Sequence, residues 1–143
     1  MEKKSKVEPT CIIYPGIGVN DVRIEMTPAE VASLGYIEDS ESFNEGALRK
    51  SFIRDTDDVA LFFDEDDKLS LIICDETCIF NGPELIGISK DEVVNMFGLP
   101  PEWGEPDFYA DGSIQVAALY YSKGLVINFE ADKVFNVMCV RRV

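Results

Sequence analysis

Carboxylates are the residues with the most capacity for chemistry in this chain. Asp55, Asp57, Asp58, Asp64, Glu65, Asp66 and Asp67 fall within thirteen residues that hold no Lys or Arg. Paired carboxylates can act as acid and base in glycoside cleavage when a cleft holds them at a fixed separation. Runs of Asp can also ligate calcium, but an EF-hand loop counted from Asp64 needs Gly at its sixth position and Glu at its twelfth. Those positions are Leu69 and Asp75, which excludes the loop. The seven carboxylates instead bracket one apolar segment, Val59–Phe63. This predicts a strand with a solvated acidic turn at each end and no cleft between them.

Thiols come next. Cysteines stand at 11, 74, 78 and 139. Four thiolates can build a tetrahedral zinc site, and Cys74-x-x-x-Cys78 has a spacing that invites one. Cys11, Cys74 and Cys139, however, lie in apolar stretches, where a free thiol behaves as a small hydrophobe. The expectation is four free thiols, no metal and no other cofactor. The chain has no histidine, which removes Ser-His-Asp and Cys-His nucleophiles and the commonest general base. Pro15-Gly16-Ile17-Gly18 lacks the third glycine of a dinucleotide loop, and no P-loop pattern occurs. A non-catalytic protein is expected.

Charge narrows the partner. Asp and Glu total 27 against 13 Lys and Arg, for a formal net charge of −14. Direct nucleic-acid binding rests on cations at phosphates, so this balance argues against it. A basic protein would be drawn in quickly. The other candidate contact is Pro100-Pro101-Glu102-Trp103-Gly104-Glu105-Pro106-Asp107-Phe108-Tyr109. Its prolines restrict it, so an exposed Trp103 beside Glu102, Glu105, Asp107 and Tyr109 would be a low-entropy anchor. Folded back onto a sheet, the same Trp103 would be core, and both readings stay open. No apolar run approaches the roughly 20 residues of a membrane span. The charged start is unlike a secretory signal. Residues 1–9 read as a flexible tail, 10–143 as a single domain, and the compartment as cytoplasmic.

The elements that must position these residues can be read locally. Ser89-Lys90-Asp91-Glu92 is a capping box, with Ile88 before it as a staple. Val93, Met96 and Phe97 put one apolar face on a short helix, which Gly98 is expected to end in a left-handed cap before Pro100-Pro101. Asp111-Gly112, Ser122-Lys123-Gly124 and Ala131-Asp132-Lys133 then separate Phe108-Tyr109, Ile114–Tyr121, Leu125–Glu130 and Val134–Val140, an antiparallel meander. Upstream, Thr27-Pro28-Ala29-Glu30, Val31, Leu34 and Gly35 repeat the helix signals. Phe63-Asp64, Lys68-Leu69 and Cys74 echo Phe129-Glu130, Lys133-Val134 and Cys139. This predicts an α+β domain of two tandem helix-plus-meander repeats, about 11–76 and 78–143, with the helices on one face of the sheet.

The pattern of Met26-Thr27, Val31, Leu34-Gly35, Ile88-Ser89, Val93, Phe97-Gly98-Leu99-Pro100, Tyr120-Tyr121, Gly124-Leu125, Phe129 and Asp132-Lys133-Val134 resembles the tandem unit of the β-lactamase-inhibitor-protein-like and BamE-like families. The likeness covers most of residues 24–140 and implies a binding module without catalysis. Small acidic binders of this kind are also similar to immunity proteins of bacterial toxin systems. The leading expectation is an immunity protein that neutralises a basic toxin, such as a nuclease. The alternative is a structural or regulatory interaction module.

Overall fold

A computed structural model describes residues 10–39, 50–56 and 58–143. Three two-residue strands come first: β1 (Ile13–Tyr14), β2 (Gly18–Val19) and β3 (Val22–Arg23). They form a small antiparallel sheet, β1-β2-β3. Helix α1 (Pro28–Ser33) follows, then β4 (Ile37–Glu38), β5 (Lys50–Ile53), β6 (Val59–Phe63) and β7 (Leu69–Cys74). After helix α2 (Lys90–Phe97) come β8 (Glu102–Trp103), β9 (Asp107–Phe108), β10 (Ile114–Tyr120), β11 (Leu125–Glu130) and β12 (Lys133–Val140). The last nine strands make one sheet in the order β4-β5-β6-β7-β12-β11-β10-β8, with β9 also paired to β10. All its pairings are antiparallel.

The balanced α+β fold with two helix repeats is overturned. Of the described residues 42% are strand and 14% helical. Both capping boxes form: Thr27 and Ser89 accept from the N–H groups of Glu30 and Glu92, whose carboxylates reach back to the cap N–H groups. Yet the helices stop after six and eight residues, too short to stand alone or to cover a broad sheet. Gly98 has φ 86° and ψ 176°, a glycine conformation, but not the left-handed helical cap expected there. Met96 points outward, and only Val93 of α2 is fully buried.

The missing cover comes from residues 10–26, where the sequence showed only a short strand and a glycine loop. Val19 and Val22 are fully buried, and the Cys139 thiol lies 3.7 Å from the carbonyl oxygens of Tyr14 and Gly18. Gly16 N–H donates to Gly124 O at 3.1 Å. A side chain on Gly124 would run into the Gly16 backbone, and Gly124 has φ +75°, so glycine is required at this contact. One core results, between the small sheet and helices on one side and Leu61, Phe63, Ile72, Ile127, Phe129 and Val137 of the large sheet on the other. Among the described residues, no helix is long and apolar enough to cross a membrane.

Candidate protein-binding surface

The acidic cluster is neither one patch nor fully solvated. Strand β6 does run Val59–Phe63, with the carboxylates at its two ends. Asp57 lies outside the described residues, and Asp55 is exposed on the turn after β5. At the far end Glu65, Asp66 and Asp67 are exposed, and Lys50 Nζ sits 3.2 Å from Asp67 Oδ1. Asp64 is drawn inward, with its side chain 19% exposed. Its Oδ1 accepts from Asp66 N–H at 2.9 Å and Lys68 N–H at 3.1 Å, and Arg141 Nη2 is 3.5 Å from Oδ2. Partial burial pushes the Asp64 carboxyl up, but the two backbone donors and Arg141 outweigh it and hold it below the usual range. Asp64 therefore serves as the hub of its own turn.

Asp58, at the near end, has an Oδ2 that is shielded from water and makes no hydrogen bond. Antiparallel pairing of Val59 with Cys74 sets Asp58 beside Asp75. Desolvation, then the Asp58 charge, push the Asp75 carboxyl above its ordinary range, while a hydrogen bond with Asn136 opposes them. Asn136 Oδ1 in turn accepts from Asn128 Nδ2 at 2.6 Å. A polar row, Asp58–Asp75–Asn136–Asn128, thus crosses four adjacent strands or their ends. Asp75 was not singled out from sequence; its partners lie on other strands.

Trp103 is neither a free anchor nor core. It is 36% exposed, its ring 6.1 Å from that of Phe129, with Lys90 Nζ 5.2 Å from its centroid. It stands opposite Ala118 in the register of β8 with β10, so it clamps the edge strand under the start of α2. The freer aromatics are its neighbours. Phe108 is 75% exposed, and Tyr109 is exposed with its hydroxyl donating to Gln115 Oε1 at 3.1 Å. Glu102, Glu105 and Asp107 are exposed around them. The edge is thus an aromatic strip set among carboxylates.

A third feature emerges only from register. Pleating sends alternate side chains to opposite faces, and the core takes one face of the large sheet. The other face carries Ile37, Ile53, Ala60, Ile73, Met138, Val126 and Leu119 in one line across β4, β5, β6, β7, β12, β11 and β10, ending at Glu102 of β8. Ile37 is 63% and Ile53 40% exposed. Phe62, Leu71 and Val140 form a shorter parallel row. The polar row of Asp58, Asp75, Asn136 and Asn128 flanks the long one on its other side. Alternation within each strand was visible in the sequence; the alignment of seven strands was not.

The thiols are not available for chemistry. All four cysteines are free and fully buried. A hydrogen bond with Cys74, and then burial, push the Cys11 thiol far up. The Cys11 contact lowers Cys74, but Cys78 and burial outweigh it and carry Cys74 far up as well. Burial raises Cys139 to about 11. Nucleophilic chemistry needs the thiolate, which is suppressed at Cys11, Cys74 and Cys139. Among the described residues, no group of three His, Cys, Asp or Glu is arranged to hold a metal ion. No protein-family model, curated protein or solved structure matches this chain.

Proposed function

We propose that this chain is a non-catalytic protein-binding module for a basic partner, most concretely an immunity protein that neutralises a basic toxin domain such as a nuclease. The observation that carries the reading is the sheet edge, where Phe108, Tyr109 and part of Trp103 are exposed among Glu102, Glu105 and Asp107 on a chain of net charge −14. Exposed aromatics supply burial on binding, and surrounding carboxylates steer a cationic partner and reject acidic ones. The burial of all four thiols and the lack of histidine support a role without catalysis. Tyrosine, tryptophan and phenylalanine at a polar rim are the composition of a contact surface.

The test is capture of the partner from the source cells at low salt, followed by association and dissociation kinetics. The captured protein is expected to present a basic surface. Its association rate should fall with salt, and should fall further when Glu102, Glu105 and Asp107 become Gln, Gln and Asn. Phe108→Ala should mainly speed dissociation. Capture of acidic proteins, or kinetics indifferent to both salt and the triple change, would favour a structural or regulatory module instead.

A further inference from the structure

We infer that the face of the nine-stranded sheet left open by the described helices and the small sheet is itself a docking surface, and that its occupant is a protein surface with an apolar centre and a cationic margin. The inference rests on the basic-partner reading for the sign of the charge, but places the contact on the sheet face, away from the aromatic edge.

Helices α1 and α2 and the small β1–β3 sheet all pack against the opposite face. Val31 and Val93 join the core there, Phe97 lies against Tyr120, and Cys139 lies against Tyr14 and Gly18. The long apolar row spans six inter-strand steps, about 29 Å at about 4.8 Å each. With the shorter row of Phe62, Leu71 and Val140 it makes a continuous apolar band, most open at Ile37 and Ile53, half-buried at Ala60, Ile73, Met138 and Leu119, and closed over at Val126. An antiparallel sheet facing water on one side ordinarily alternates apolar-in with polar-out. Here β6, β7, β10, β11 and β12 each place an apolar residue on the outer face as well.

Charge selects the occupant. Asp58 and Asp75 lie along one side of the row, and Asp75 is exposed there. A Lys or Arg from a partner, pairing with the exposed Asp75, would relieve the repulsion between Asp58 and Asp75. A second copy of this chain is the poorer fit. Face-to-face pairing would bring these same carboxylates together on two chains of net charge −14 each.

The test uses the full chain with labelled Ile, Leu and Met methyls and two synthetic amphipathic peptides of equal leucine content, one Leu/Lys and one Leu/Glu. The Leu/Lys peptide is expected to bind saturably, with shifts centred on Ile53, Ile73, Met138 and Leu119, and the Leu/Glu peptide not to bind. Ile73→Lys should weaken Leu/Lys binding at least tenfold. Ile53→Lys, at a more exposed position that folding tolerates, should weaken it severalfold. Shifts centred on Ile114 and Leu99 would move the contact to the aromatic edge and overturn this inference while leaving the basic-partner reading intact. Concentration-dependent dimerisation that shifts the same four residues without peptide would assign the face to a second copy and overturn it. Saturable binding of the Leu/Glu peptide alone would overturn both this inference and the basic-partner reading.

Discussion

Replacing Trp103 by Ala separates a clamp from an anchor. Trp103 is 36% exposed, so roughly two thirds of an indole's roughly 200 Å² is withdrawn from water; at about 25 cal/mol per Å² this is worth about 3 kcal/mol. The tilted contact with Phe129 at 6.1 Å adds about 0.5–1.5 kcal/mol. Lys90 over the ring at 5.2 Å adds about 0.5 kcal/mol at an exposed site. The site opens to solvent at the sheet edge, so truncation leaves a groove that water can fill and no sealed cavity, which moderates the cost. The expected loss is about 3 kcal/mol of unfolding free energy, which for a chain of this size is a fall in Tm of about 10 °C. Urea denaturation followed by far-ultraviolet circular dichroism measures it, with Trp103→Phe expected to recover most of the loss. A loss under about 1 kcal/mol would refute the clamp and return Trp103 to the role of a surface anchor.

Other outcomes follow from the same geometry. Tyr120 is buried and its hydroxyl donates to Gly98 O at 2.6 Å; Tyr120→Phe should cost about 1–2 kcal/mol by leaving that carbonyl short of a donor, read by the same titration. The Asp75 carboxyl is raised in the folded chain, which therefore holds its proton more tightly than the unfolded one; stability falls as pH rises through the carboxylate range and stays lower at neutral pH. Asp75→Asn should thus stabilise the protein at pH 7 and change little well below that range. Asp64 has the opposite sign: its lowered carboxyl contributes stability above the unfolded value that is lost as pH falls through the folded one, so Asp64→Asn should flatten the acid limb of a stability–pH profile. A maleimide should label none of the four buried cysteines in the native chain and all four after unfolding.

Sequence alone determined the parts of the molecule that depend on near neighbours. A capping box needs a side chain and a backbone N–H three residues apart, so Thr27–Glu30 and Ser89–Glu92 could be read with the starts of both helices. The turn at Ala131-Asp132, both with positive φ, and the strands beside it were legible for the same reason. The charge and the acid–aromatic composition of the stretch from Glu102 to Tyr109 were also open to view, but not its exposure. Strands β6, β7, β10, β11 and β12 were equally legible, whereas β4 and β5 were not read as strands and β8 reads as a loop; the helices carried too much weight in the fold class because their ends were less constrained than their starts.

Tertiary structure decided what required partners distant in sequence. Asp64 is held by Arg141, 77 residues away, which turns a presumed solvated acid into a structural hub. Cys11 N–H donates to the Thr77 hydroxyl, 66 residues away, while Ile13 N–H donates to Ile79 O, tying the β1–β3 region across the core. The outer apolar row is the plainest case. Each strand displays only one or two of its residues, and a shift of one residue in any pairing would send that strand's contribution to the core face. Seven strands must find their order and register before Ile53, Ile73, Met138 and Leu119 share one surface, and a local pattern carries no information about which strand will lie beside which.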